Sequence, residues 1–127
     1  MNETVILLAT NLANPRYFSE FITSISKQTD QNFDVFWSED SRDRNEIEKI
    51  KKFIGRDSRF VQIPGLNQGP TMNFINLLTQ AEGYKNYFFA DQDDIWLPRR
   101  IETQVIEMKK HRSSPEAPYG IFFTHIL

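Results

Sequence analysis

The chain contains no cysteine and only two histidines among its 127 residues. The first absence excludes a disulfide framework, a thiolate zinc site and a cysteine nucleophile. The second leaves no histidine metal pair, because His111 and His125 stand far apart with no third ligand at useful spacing. Basic charge is not in excess either, with 15 Lys and Arg against 17 Asp and Glu for a net charge of −2. Nothing therefore advertises a nucleic-acid partner, which needs a basic face. The one dense basic run, Lys109 to Arg112, reads as the solvated last turn of a helix, or as a weak patch for phosphate or a membrane surface. Long hydrophobic runs are also missing. The stretch from Val5 to Ala9 is too short to span a bilayer and has no cationic lead, so neither a membrane helix nor a signal peptide is expected. The chain is read as cytoplasmic. No Gly-x-Gly-x-x-Gly and no Walker sequence occurs, which argues against a dinucleotide or P-loop site of the familiar kind.

What is present alternates between two periods. Thr4 to Thr10 is a continuous apolar run of the kind a buried parallel strand shows. Pro15 opens a helix to about Gln28, with Phe18, Phe21, Ile22 and Ile25 on one face. Phe33 to Ser38 reads as a second strand. Asp43 to Ile54 reads as a helix with Ile47, Ile50 and Ile54 inward, ended by Gly55. Phe60 to Ile63 is a short third strand, and Gly69-Pro70 starts a helix that buries Phe74, Leu77, Leu78 and Ala81. Asn86 to Ala90 is a fourth strand, Pro98 to about His111 a fourth helix buried through Ile101, Val105 and Met108, and Tyr119 to Ile126 a fifth strand. The order is βαβαβαβαβ in one domain, residues 1–127, which predicts an α/β fold with a mostly parallel sheet between helices. The polar stretch 113–118 is the one candidate linker. Ligands of such sheets bind beyond the carboxyl ends of the strands.

The residues just past each strand are therefore the candidates. Asp91-Gln92-Asp93-Asp94 follows the fourth strand. Three carboxylates in four residues repel one another unless a cation or solvent relieves them. A Mg²⁺ or Mn²⁺ ion takes one or two carboxylates together with substrate phosphates. The plainer alternative is an acidic turn ahead of a helix. Asp40, after the second strand, could accept a hydrogen bond from a pyrimidine imide, or could serve as an N-cap or Asx-turn. Glu39 reads as solvated. Trp37 and Trp96 read as packing residues, with Trp96 the better candidate for a site, and His125 falls at the ligand end of the last strand.

Four segments, in order, carry a resemblance. They are VILLAT with a helix ending SISKQT, then FDVFWSED, NQGPTMNF and YFFADQDDIWLPRRIETQ. Over roughly residues 3–112 the chain resembles the N-terminal, nucleotide-sugar-binding part of a family 2 glycosyltransferase of the Rossmann-like GT-A fold, in its rhamnosyltransferase-like branch. The resemblance implies that Asp91 and Asp93 are the DxD motif beside a metal ion and the sugar nucleotide, with Asp93 the nearer ligand. It implies that Asp40 meets the base, that Thr10 lies in the nucleotide pocket, and that Asn67 and Gly69 shape the pocket floor. Asp94 and Trp96 would lie toward the sugar or acceptor. It further implies transfer, usually with inversion, from a UDP- or dTDP-linked sugar to a glycan or lipid-linked acceptor, with Mn²⁺ or Mg²⁺ assisting, and a place on the inner face of the plasma membrane.

The chain departs from that pattern in places. Thr10-Asn11-Leu12-Ala13-Asn14 lacks the usual glycine, Glu39-Asp40-Ser41-Arg42 is a residue shorter than Asp-Asp-Gly-Ser, and Met72 stands where many members have a basic residue. No residue matches the general base that deprotonates the acceptor. The expectation is thus a C-terminally truncated fold: a fragment, or a half-domain completed by a homo-oligomer or another chain. Two other readings stand beside this one. A haloacid-dehalogenase-like phosphatase also uses Asp-x-Asp, but on its first strand. A non-catalytic nucleotide- or protein-binding module of the same fold would need no base.

Overall fold

The computed structural model describes residues 2–111 and 121–123. Five strands, β1 (Thr4–Thr10), β2 (Phe33–Glu39), β3 (Phe60–Gln62), β4 (Asn86–Asp91) and β5 (Ile121–Phe123), form one sheet in the order β3-β2-β1-β4-β5. Every pairing is parallel. Four helices alternate with them: α1 (Pro15–Ser26), α2 (Arg44–Ile54), α3 (Pro70–Gln80) and α4 (Arg100–His111). The α/β fold expected from the alternation is therefore observed. The outer parts of the expected fifth strand, His125 and the 113–118 linker lie outside the described residues.

β1 is fully covered on both faces, which is why it reads as unbroken apolar sequence. Its residues alternate between two cores. Ile6 and Leu8 join Phe18, Phe21 and Ile25 of α1, Ile50 of α2, and Ile101 and Met108 of α4. Val5 and Leu7 join Leu77 of α3 with Ala81 and Tyr84. Three helices thus cover one face and α3 the other. No helix among the described residues is long and apolar enough to cross a membrane.

Helix ends follow local chemistry. Asn14 caps α1 by accepting from the Arg16 N–H, and Asp43 caps α2 by accepting from Asn45 and Glu46. The fourth helix starts at Arg100 and not at Pro98 as its proline suggested. The Pro98 carbonyl accepts from the Thr29 N–H, and the Leu97 carbonyl from the Gln28 side chain and the Arg100 N–H. Those carbonyls serve a turn pinned to the end of α1, so helical bonding begins later.

The strand order reverses between β1 and β4, and the crevice expected at such a switch opens at their carboxyl ends. The loop after β3 crosses close beneath it. A Cβ added at Gly65 would overlap the Glu39 carbonyl oxygen and lie 2.9 Å from its carbon. Both obstacles are main chain, which cannot rotate away. Gly65→Ala is expected to destabilise the protein by about 2 kcal/mol or more, as overpacking against fixed atoms does. Urea denaturation reads this directly, and an unmoved midpoint would contradict the close approach.

Candidate functional site

Three strand ends and the start of α3 enclose a cleft of about 290 Å³. Ala9, Thr10 and Asn11 come from β1 and its exit, Asp40 from the exit of β2, and Gly69, Pro70 and Asn73 from the entry to α3. Asp91, Gln92 and Asp93 come from the end of β4. Of the residues singled out from sequence, Thr10, Asp40, Gly69, Asp91 and Asp93 meet here, across more than 80 residues of chain.

Each is held by identifiable bonds. The Thr10 hydroxyl donates to Glu39 Oε1 at 2.8 Å. Asp40 does not cap α2, a role that Asp43 fills. Its Oδ1 accepts from the Gln68 N–H at 3.2 Å and its Oδ2 from the Gly69 N–H at 3.0 Å, so it ties the β3–α3 loop to the end of β2. Each oxygen keeps a second lone pair for a ligand. Gly69 stands at φ 94°, open space where a Cβ would point, and leads into Pro70 at the first turn of α3.

The acidic turn is stitched on both sides. The Asp94 carboxylate accepts from the Asp91 N–H at 3.0 Å, and the Asp94 N–H donates to the Asp91 carbonyl at 3.1 Å. Gln92 reaches across to the β1 loop. Its Oε1 accepts from the Asn11 N–H at 2.7 Å and its Nε2 donates to the Asn11 carbonyl at 3.3 Å. Downstream, the Trp96 N–H donates to Ser24 Oγ, and the Gln28 side chain bonds both the Leu97 carbonyl and the Ile101 N–H. Asp91 and Asp93 are exposed residues that line the cleft.

The structure places the other candidates away from the cleft wall. Trp96 is a packing residue, as it reads from sequence. It is 2% exposed and packs against Phe21 and Phe88 beneath the Arg100 guanidinium, because the core under α1 takes the one large ring of this loop. Asp94 does not line the cleft but fastens the turn. Asn67 sits exposed at φ 55° in the bend before Gly69 and is not part of the cleft wall. Glu39 is not solvated but 2% exposed. Sequence reasoning also passed over Asn11, Asn73 and Gln92. A polar residue inside the apolar stripe of α3 was a signal for Asn73, which is 1% exposed and donates to the Ser38 carbonyl at 3.0 Å.

Among the described residues, the cleft wall carries three aspartates and no Lys or Arg. Among the described residues no cluster of three or more His, Asp or Glu could cage a metal ion. A pair of exposed carboxylates without a third protein ligand suits a divalent ion whose remaining positions go to phosphate oxygens and water.

Burial raises the Asp94 carboxyl above its ordinary 3.8, outweighing the Asp91 N–H, the nearby Trp96 indole and Arg100, which favour the charged form. The indole N–H approaches this carboxylate without making a well-aligned bond. Folded Asp94 therefore holds its proton more tightly than the unfolded chain does. Its contribution to stability is largest below 3.8 and falls away as pH rises through the raised folded value. Asp94→Asn keeps an acceptor for the Asp91 N–H and removes that fall. The melting temperature of the variant relative to wild type is expected to rise between about pH 3 and pH 7. A difference independent of pH would contradict the shift.

Comparison with known proteins places the chain in a family. Residues 4–115 match the profile of glycosyl transferase family 2. An uncharacterized glycosyltransferase of Methanocaldococcus jannaschii is 31% identical over 111 residues, covering 84% of this chain and 37% of the relative. The chain thus spans little more than a third of the length of that curated relative. The crystal structure of TarS from S. aureus superposes with a TM-score of 0.66 at 21% identity, covering 87% of this chain and 20% of TarS, a likeness of fold. The profile match over most of its length, together with the archaeal relative, shows that the chain belongs to glycosyl transferase family 2.

Proposed function

We propose that this chain is the donor-binding part of a transferase that takes a sugar from a uridine or thymidine diphosphate carrier and passes it, with inversion, to a glycan or lipid-linked acceptor. The observation that carries the proposal is the charge of the cleft. Among the described residues, three aspartates line it with no basic side chain. A diphosphate entering alone would meet like charge, which at about 4 Å costs roughly 4 kcal/mol per pair at an effective dielectric near 20. Such a wall is suited to a diphosphate only in company with a cation.

Asp93, with Asp91 beside it, would hold a Mn²⁺ or Mg²⁺ ion. The ion, when bound, supplies Lewis-acid stabilisation to the departing diphosphate. The chain's own residues do the rest of the binding. Gly69 lets the main chain come close at the start of α3. Asp40 fixes that loop and retains lone pairs for a base that donates, as uracil and thymine do through their imide N–H. Gln92 holds the acidic turn against the β1 loop. The likeness to the rhamnosyltransferase-like branch makes a thymidine-linked deoxyhexose the first donor to try. A lipid-linked acceptor would put the enzyme at the cytoplasmic face of a membrane.

Titration of UDP, dTDP and GDP with and without Mn²⁺, on the wild type and on Asp93→Ala, tests this reading. Binding of a pyrimidine diphosphate is expected to need the metal and to weaken by about tenfold or more in Asp93→Ala, a loss of roughly 1.4 kcal/mol. Equal binding in EDTA would sink the metal-assisted reading. Undiminished metal-dependent binding by Asp93→Ala would remove that residue from it.

A further inference from the structure

Glu39 is an acid buried to 2% exposure with no ion-pair partner among the described residues. A carboxylate taken from water without a countercharge is costly unless hydrogen bonds replace its solvent. Its donors come from the two loops beside the cleft. Oε1 accepts from the Thr10 hydroxyl at 2.8 Å. Oε2 accepts from the Leu12 N–H at 3.1 Å, the Ser41 N–H at 3.3 Å and the Ser41 hydroxyl. Both loops contain a non-glycine residue in the left-handed region, Leu12 at φ 50° and Arg42 at φ 62°. Such conformations persist only where the surroundings impose them. The Leu12 N–H is held by the Glu39 side chain, and the Arg42 N–H donates to the Glu39 carbonyl at 3.2 Å.

We propose that Glu39 is the positioning residue of the donor pocket, fixing the β1 and β2 exit loops through the shape of its carboxyl group and not through its charge; the proposal rests on the donor-binding reading of the cleft. It touches no cleft space itself. It sets the places of Thr10 and Asn11, which line the cleft, and it precedes Asp40, which secures the third loop.

The geometry makes a specific demand on substitutions. The Thr10 hydroxyl already lies 3.4 Å from the Ser38 carbonyl. In Glu39→Gln the amide nitrogen can take the place of Oε1, because Thr10 can turn its proton to Ser38 and accept instead. The amide oxygen then receives Leu12 and Ser41 as before. Glu39→Asp keeps the charge but is one methylene too short to reach both loops. Glu39→Ala reaches neither.

The test measures, on folded protein with a cooperative melt, the affinity for UDP and dTDP with Mn²⁺ and the hydrogen exchange of the Leu12 and Ser41 amides without ligand. Glu39→Ala and Glu39→Asp are expected to weaken nucleotide binding by about tenfold and to accelerate both amides, whereas Glu39→Gln stays within about threefold and keeps them protected. Wild-type affinity in Glu39→Ala, or a Glu39→Gln variant as impaired as Glu39→Ala, overturns the proposal. Should Glu39→Ala fail to fold, Glu39→Asp against Glu39→Gln makes the same decision. If wild type binds no nucleoside diphosphate, the donor reading fails. The exchange order still decides whether Glu39 holds the loops, and unchanged protection in Glu39→Asp overturns that as well.

Discussion

Peptide groups that leave a parallel sheet at its carboxyl edge have no further ladder partner, yet buried ones must be paired. In this chain that constraint is met largely by two adjacent acids at the end of β2. Glu39 gathers the loop after β1 and its own loop, and Asp40 gathers the loop before α3. Beside the main-chain bond from the Asp40 N–H to the Thr10 carbonyl, these two side chains tie together three of the segments that wall the cleft. The exposed aspartates of the β4 turn share the cleft with loops held by these bonds, so under the proposed function binding would not first have to order them.

The fold was largely legible in the sequence. Unbroken apolar strands, one-faced helices and their alternation lead to a doubly covered parallel sheet, and the structure has one. The boundary at α4 was not, because the Pro98 and Leu97 carbonyls are used by Thr29 and Gln28, partners some 70 residues away that no local pattern reveals. The candidate site divides in the same way. Thr10, Asp40, Gly69, Asp91 and Asp93, which line the cleft, stood out because they sit at or just past strand ends or at a helix start. Glu39 was misread because an acid at a strand end usually faces water, and only the fold brings four donors to it. Trp96 was read as a packing residue and is one, its ring going inward while its neighbours Ile95 and Leu97 are exposed.

Under the proposed function, charged and neutral groups of the cleft divide the work. Acids repel the diphosphates of every nucleotide alike, so the cation would gate entry and the neutral groups would discriminate. Asn73 and Gln92 belong to that neutral set, and both are anchored to main chain rather than to each other. Anchoring of this sort leaves few alternative rotamers, which favours one ligand pose over several.

The grip of Gln92 on residue 11 has an evolutionary corollary. Both bonds end on the peptide N–H and C=O of Asn11, so the latch is blind to whatever side chain position 11 carries, and drift there leaves it intact. Position 92 has no such freedom. Asparagine falls short and glutamate loses the donor, so the residue between Asp91 and Asp93 is a mechanical part of the turn.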